Sequence, residues 1–118
     1  MDMSLFEDNQ AFIRQKAEEH QSGLLGRKII WSYHSDDKLS AEGLAAAEIE
    51  WSLQNCEVIE IYPDSHRRFP DCLVIGYLDS GEPFHAVIAM DNIRDRLLMV
   101  TVYMPNEEVW QDDWKTRK

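Results

Sequence analysis

Two of the four histidines stand where a side chain could move a proton. His85 lies in a strand-like run, residues 83–87, where side-chain alternation places it on the face opposite Phe84. If the hairpin register pairs residues whose numbers have an even sum, Thr101 and Tyr103 share that face. An imidazole, a hydroxyl and a phenol on one face could form a proton-transfer cluster, because histidine titrates near neutral pH. The commoner alternative is a half-exposed histidine that hydrogen-bonds to a neighbour.

His34 follows a strand-like run and precedes a helix, a position where the backbone is fixed and the side chain is open. Lys38 lies one helical turn later, so the two side chains can share a face. A base and a cation at this spacing suit phosphate chemistry, although they equally suit a solvated helix surface. Two basic stretches, residues 66–68 and 115–118, are each too short to indicate a nucleic-acid site alone.

Other familiar chemistries have no motif in the sequence. There is no glycine-rich phosphate loop, no nucleophile elbow and no spacing typical of a metal site, so we expect neither a metal nor another cofactor. Cys56 and Cys72 are the only cysteines, and two buried thiols in a reducing cytosol are expected rather than a disulfide or a metal pair. The four tryptophans are more often core or interface residues than platforms for bases.

The composition is that of an ordinary globular chain with an acidic balance. The 118 residues carry a formal net charge of −10, with 44% hydrophobic and 29% charged residues, which predicts one domain over residues 1–118. The average field repels polyanions, so nonspecific binding to nucleic acid or an anionic membrane is not expected. Because the acidic start lacks signal-peptide features and no apolar run approaches ~18 residues, we expect a cytoplasmic protein.

The helical signals lie in the first half of the chain. Residues 4–22 show apolar side chains at helical spacing, and residues 28–33 could be a strand or an extended entry into the domain. A second helical stretch has Ser35 as a candidate cap. Gly43 should divide that stretch, and its second piece covers about residues 44–54.

From Cys56 the apolar period changes to two. Asn106 can then cap a short C-terminal helix that carries Trp110 and Trp114 one turn apart. The expected fold is α+β, with N-terminal helices packed on a four-stranded antiparallel meander and a short helix at the end. The four strand-like runs, joined by turn residues, are 56–62, 72–78, 83–90 and 96–104.

Several segments together resemble a small prokaryotic family of unknown function, numbered 4258. The resemblance covers about residues 28–118 and leaves residues 1–26 as an N-terminal helical extension. The residues that carry it are Ile30-Trp31-Ser32-Tyr33-His34, Lys38-Leu39, Gly43-Leu44, Glu57-Val58-Ile59, Tyr62-Pro63, Cys72-Leu73-Val74-Ile75-Gly76, Glu82-Pro83-Phe84-His85, Thr101-Val102-Tyr103-Met104-Pro105, Trp110 and Arg117-Lys118.

The resemblance implies a fold and a site. Members of the family look like distant relatives of the RelE and barnase–colicin RNases, which need no metal, and are often encoded beside a small zinc-finger antitoxin-like protein. The same helices-then-sheet layout is implied. In this sequence the S-x-H position is His34, the P-x-H position is His85, the tyrosine of T-V-Y-x-P is Tyr103 and the terminal arginine is Arg117.

Two positions depart from the family pattern. Where members typically place an arginine four residues after the first histidine, this chain has Lys38. Where a second arginine commonly precedes the glycine, it has Glu42. A lysine lacks the forked guanidinium that stabilises an oxyanion, and a carboxylate repels phosphate.

The first functional hypothesis is a toxin-like endoribonuclease. His34 or His85 would take a proton from a ribose 2′-hydroxyl, and the other histidine, or Tyr103, would protonate the leaving 5′-oxygen. RNA and an antitoxin-like protein are then the expected partners. The cations that would stabilise the charged phosphate are Lys38, Arg67 and Arg117.

The second hypothesis is a non-catalytic interaction module with the same fold. The acidic balance and Glu42 motivate it, since neither favours an RNA substrate. Trp110 and Trp114 would then be candidate contacts with a protein partner, which could be a second copy of the chain.

Overall fold

The described residues form an α+β fold in which helices precede most of the strands, so the predicted class is confirmed. The structure is a computed structural model that describes residues 3–62 and 68–118. Its helices are α1 (Met3–Ser22), α2 (Tyr33–Glu42) and α3 (Ala46–Ser52), followed by a 3-10 turn at Leu53–Asn55. Its strands are β1 (Ile29–Trp31), β2 (Glu57–Tyr62), β3 (Asp71–Tyr77), β4 (Pro83–Asp91) and β5 (Arg96–Tyr103).

The strands form one mixed sheet in the order β1-β5-β4-β3-β2. Strands β2 to β5 are the antiparallel meander that the period-two runs predict. The prediction of four strands is wrong by one, because β1 joins the edge beside β5 in parallel, with Ile29 opposite Leu97 and Trp31 opposite Met99. This parallel pairing joins segments that are distant in the sequence. No tight turn connects the two strands, so turn residues could not predict their pairing.

Helix α2 has a defined start and a defined end. Ser32 is its N-cap, and Ser32 and Ser35 satisfy each other's backbone N–H groups in a reciprocal capping box. The predicted cap, Ser35, is therefore the third helical residue. Gly43 ends the helix in the left-handed conformation at φ 69°, which confirms the predicted break between the two helical pieces. His34 and Lys38 thus lie one turn apart within α2.

One face of the sheet, the core face, packs against α1 and α3. Phe84 of β4 is fully buried there, and its ring lies directly over Gly76, where an added Cβ would overlap the ring. Helix α1 covers this face through Ile13 and Ala17, both without exposed surface. The other buried side chains of this hydrophobic core are Ile29, Leu39, Ile49, Leu53, Cys56, Val58, Cys72, Val74, Ala86, Ile88, Met90, Leu97, Met99 and Val102.

The opposite face of the sheet, here called the site face, is covered in part by the C-terminal segment, residues 104–118. The predicted C-terminal helix is wrong for this described segment, which consists of turns. The side-chain oxygen of Asn106 accepts hydrogen bonds from two following backbone N–H groups and makes a turn. The chain then reverses so that Trp110 pairs with Arg117. Trp114 has a left-handed φ of 61°, which no right-handed helix contains.

Candidate functional site

The site face brings together two of the side chains predicted to carry chemistry. Strands β4 and β5 pair antiparallel with His85 opposite Tyr103, so the two side chains share a face as the sequence predicted. Nδ1 of His85 lies 3.3 Å from the hydroxyl of Tyr103. Thr101 is opposite Val87 on the same face, farther along the strands.

The hydrogen-bond partner of Nε2 shows which ring nitrogen of His85 carries the proton. Nε2 lies 2.7 Å from the carbonyl oxygen of Trp114, which can only accept a hydrogen bond. Nε2 therefore carries the proton, and Nδ1 accepts from the hydroxyl of Tyr103. The ring of Trp110 meets the imidazole edge-to-face at 4.5 Å between centroids. His85 has no exposed surface, and its burial lowers its pKa, so it is neutral at pH 7.

A carboxylate and an arginine lie close enough to this buried histidine to affect its pKa. Glu60 of β2 accepts two hydrogen bonds from Arg117, at 2.7 Å from Nε and 3.1 Å from Nη2. The hydroxyl of Tyr62 donates to the same carboxylate at 2.8 Å. Burial acts to raise the pKa of Glu60, but the hydrogen bonds from Arg117 and Tyr62 outweigh it, so the pKa is lowered. Glu60 is therefore an ionised carboxylate at neutral pH.

Tyr103 is within the electrostatic range of this ion pair. Burial raises the pKa of Tyr103, the positive charge of Arg117 opposes the shift, and the negative charge of Glu60 adds to it. The net upward shift keeps the phenol protonated at neutral pH. The site face thus holds a carboxylate, a cation and a protonated hydroxyl within electrostatic range of one another and of the neutral His85. We call Glu60, Tyr62, His85, Tyr103 and Arg117 the polar cluster.

The C-terminal segment is attached to the sheet at several points around the polar cluster. Lys115 makes an ion pair with Glu57 of β2 at 3.0 Å. The guanidinium of Arg117 stacks over the ring of Trp110 at 4.7 Å from the centroid. Trp110 is 3% exposed, so these contacts bury the tryptophan against the imidazole. The segment therefore forms one wall of the site.

The remaining predicted residues do not join the polar cluster. His34 is exposed at the start of α2 and lines a groove farther along the site face. Lys38 is half-buried one turn later. Glu42, which departs from the family pattern, accepts a hydrogen bond from the backbone N–H of Met104 at 2.9 Å and so anchors the end of α2 to β5. Arg67 lies outside the described residues.

Sequence reasoning missed Glu60 and Tyr62. Strict alternation along β2 separates Glu57 from both of them, but the register shifts between Val58 and Glu60. This bulge turns Glu57, Glu60 and Tyr62 to one face. The polar residues of β2 are spaced three and then two residues apart, which leaves apolar Val58 and Ile61 together on the buried face. This spacing was the feature of the sequence that could have indicated the bulge.

Other chemistries have little support among the described residues. Cys56 and Cys72 are buried and free, and burial raises the pKa of each thiol to about 12. Both thiols are therefore protonated at neutral pH, and the predicted pair of buried, unlinked cysteines is confirmed. Within residues 3–62 and 68–118, no group of His, Cys, Asp and Glu could hold a metal ion. No helix in those ranges is long and apolar enough to cross a bilayer.

The sequence matches the model of one protein family, described as Domain of unknown function (DUF4258), over residues 31–104. The chain belongs to the DUF4258 family. The resemblance to this family predicted from the sequence is therefore confirmed. The matched part contains His34, Glu60, His85 and Tyr103, while Arg117 lies beyond its end. No curated protein and no solved structure matches the chain.

Acidification is expected to destabilise this DUF4258 protein through His85. Burial lowers the pKa of His85 in the folded state, so the unfolded chain binds this proton more tightly. The stabilisation is present above the ordinary pKa of about 6.5 and is lost as the pH falls toward the folded-state pKa. The unfolding free energy from urea titrations should fall with a slope of up to about 1.4 kcal/mol per pH unit in that interval.

Two histidine variants test whether His85 causes this pH dependence of the unfolding free energy. The variant His85→Gln removes the titrating group and should flatten the slope between neutral pH and pH 5. The control His34→Gln changes an exposed histidine and should leave the wild-type slope unchanged. An unchanged slope in His85→Gln would assign the acid sensitivity to other groups.

Proposed function

We propose that the chain is a metal-independent endoribonuclease of the toxin type that acts at the polar cluster. The placement of Glu60, Tyr103 and Arg117 on one face, within electrostatic range of one another and of a buried histidine, is the observation that supports it most. A carboxylate, a hydroxyl donor and a cation are the groups that phosphodiester cleavage by the ribose 2′-hydroxyl requires. The resemblance to RelE- and barnase-type RNases is a second, independent support, and it also motivates an antitoxin-like protein partner.

The proposed reaction is a transesterification. The 2′-oxygen bonds to phosphorus, its proton passes to the carboxylate of Glu60, and the bond from phosphorus to the 5′-oxygen breaks. The hydroxyl of Tyr103 gives its proton to the leaving 5′-oxygen, and the two side chains recover their starting protonation through solvent. The products carry a 2′,3′-cyclic phosphate and a 5′-hydroxyl. The low pKa of Glu60 and the high pKa of Tyr103 give each group the correct protonation state at neutral pH.

Arg117 has two roles in the proposed reaction, one as the ion-pair partner of Glu60 and one as the cation that binds the phosphate. It is 54% exposed on its side chain and is held by Glu60 at 2.7 Å. A bound phosphate competes with the carboxylate for the guanidinium, because both are anions that accept paired hydrogen bonds. The exchange would free Glu60 to accept a proton and place the cation beside the charge that develops on the phosphate.

His85 acts through Tyr103 in this proposal. The imidazole has no exposed surface and cannot touch RNA in this arrangement. Its Nδ1 accepts from the phenol at 3.3 Å, which fixes the position of the phenol oxygen. The hydroxyl proton must then rotate from Nδ1 toward the 5′-oxygen as the leaving group departs. His85 is therefore a positioning residue, while His34 and Lys38 are left to contact the substrate outside the polar cluster.

A second function is favoured by a different observation. Both nitrogens of His85 have partners, and Arg117 is already neutralised by Glu60. A cluster satisfied in this way also fits a non-catalytic interaction module, with a second copy of the chain as the simplest partner. Large apolar side chains exposed elsewhere, among them Leu24 at 88% and Trp51 at 58%, could supply such an interface.

The test is RNA cleavage in the presence of a chelator, with both free RNA and pre-formed ribosome complexes as substrates. Pre-formed complexes are needed because chelation stalls ongoing translation. We expect cleavage that survives chelation and leaves 2′,3′-cyclic phosphate and 5′-hydroxyl ends. No cleavage of either substrate, together with a dimer in size-exclusion chromatography, would support the interaction module instead.

A further inference from the structure

A groove of about 510 Å³ lies on the site face beside the polar cluster. Its floor includes Ala89 of β4 and Leu98 of β5, which are directly paired. Its walls include His34 from α2 and the residues Arg68 and Phe69 that precede β3. The groove therefore combines an apolar floor, an aromatic ring and an exposed cation.

The groove and the polar cluster share one continuous surface. Ala89 and His85 are four residues apart on β4 and point to the same face, which separates them by about 13 Å along the strand. On β5, Leu98 and Tyr103 occupy the matching positions beside them. An extended chain that places a phosphate at the polar cluster would thus continue into the groove.

The chemistry of the walls suits a nucleobase with its phosphate. The Phe69 side chain is half-buried, and the guanidinium of Arg68 lies 5.3 Å from the centroid of its ring. A flat aromatic side chain and an adjacent arginine are the features on which single-stranded bases stack. Arg68 is exposed and so remains available to a phosphate. The imidazole of His34 offers a hydrogen-bonding group at another wall.

We propose that this groove is a binding subsite for an unpaired nucleotide of RNA, on the same strand as the nucleotide that is cleaved and close to it. The proposal rests on the proposed ribonuclease function and adds the substrate class, single-stranded RNA. A base in a duplex has its faces stacked on its neighbours, so only an unpaired base can enter beside Phe69. The protein as a whole has a net charge of −10, but the walls of the groove carry a cation and an imidazole. These walls favour an anionic ligand over an apolar peptide.

The test measures binding without cleavage. A short RNA with 2′-O-methyl groups on every ribose cannot be cleaved through its 2′-hydroxyls, and its fluorescence anisotropy reports its affinity. Phe69→Leu keeps an apolar side chain but removes the stacking face, and we expect it to weaken binding about ten-fold. Phe69→Tyr keeps the ring and should bind as wild type does, which separates stacking from folding.

Arg68→Gln tests the phosphate contact. Loss of one contact should reduce the slope of log affinity against log salt by about 0.7, the value for single strands. The matched control is Arg27→Gln, which removes an exposed arginine outside the groove lining and should leave the slope unchanged. Circular dichroism of each variant establishes that the fold is retained.

The outcomes separate the subsite from the ribonuclease function. Binding that is lost in Phe69→Leu supports the subsite, even if wild type cleaves no natural RNA and the proposed function fails. Binding that is equal in wild type and Phe69→Leu overturns the subsite, even if cleavage is observed. Absence of RNA binding by wild type at low salt also overturns it, and loss of a protein complex in Phe69→Leu would then assign the groove to a protein partner.

Discussion

The variant Glu60→Gln is expected to cleave RNA about 10²- to 10⁴-fold more slowly than wild type, the range that a general base supplies. Glutamine has nearly the same shape but cannot accept the 2′-hydroxyl proton as a carboxylate does. The lost carboxylate also releases Arg117 from its ion pair at 2.7 Å. Single-turnover cleavage of a labelled RNA measures the chemical step without product release.

The control Glu57→Gln removes a carboxylate from the same strand and the same face. Glu57 pairs with Lys115 at 3.0 Å and lies outside the polar cluster. Its loss should leave the cleavage rate close to that of wild type. Equal rates in Glu60→Gln and wild type would exclude Glu60 as the base and would leave the proposed reaction without a proton acceptor.

The pH profile separates a catalytic Glu60 from a structural one. If Glu60 is the base, the wild-type rate falls at acid pH as its carboxylate is protonated, and Glu60→Gln lacks that acidic limb. A purely structural role would lower the rate at every pH and keep the limb. The hydrogen bonds from Arg117 and Tyr62 lower the pKa of Glu60 in the RNA-free protein. The acidic limb of kcat/KM, which reports the free enzyme, should therefore lie below the ordinary pKa of about 4.3.

The parts of the fold that local physics determines could be predicted from the sequence. Period-two runs joined by turn residues predicted the meander from β2 to β5, and Gly43 predicted the end of α2. The sequence of residues 28–33 allows a strand or an extended entry, and the place of β1 in the sheet could not be predicted, because it pairs with a strand distant in the sequence. The C-terminal helix was predicted from Asn106, but the same side chain serves a turn as well as a helix.

The site was predictable to the extent that it follows from strand register. His85 and Tyr103 were placed on one face by alternation alone. Glu60 was missed because a bulge, which alternation does not reveal, turns it to that face. The burial of His85 was also missed, since it depends on the path of the C-terminal segment, where the left-handed Trp114 presents its carbonyl to the imidazole.

The variant Trp110→Ala is expected to lower the unfolding free energy by about 3–5 kcal/mol, the usual cost of truncating a buried tryptophan. Trp110 is 3% exposed and contacts both the imidazole of His85 and the guanidinium of Arg117. Urea unfolding followed by circular dichroism measures the loss. The control Trp51→Ala removes a tryptophan that is 58% exposed, and its effect should stay within about 0.5 kcal/mol.

A second readout tests what Trp110 does for the site. Its removal admits water to His85, so the lowered pKa of the imidazole should rise toward its ordinary value of about 6.5 in an NMR titration. If Trp110→Ala is as stable as Trp51→Ala and the pKa of His85 is unshifted, the C-terminal segment is not part of the packed structure.

Because Trp110 and Glu60 both hold Arg117, the effects of their substitutions on the unfolding free energy should not be additive. The double variant should lose less stability than the sum of the two, since each single change already weakens the remaining contact of the arginine.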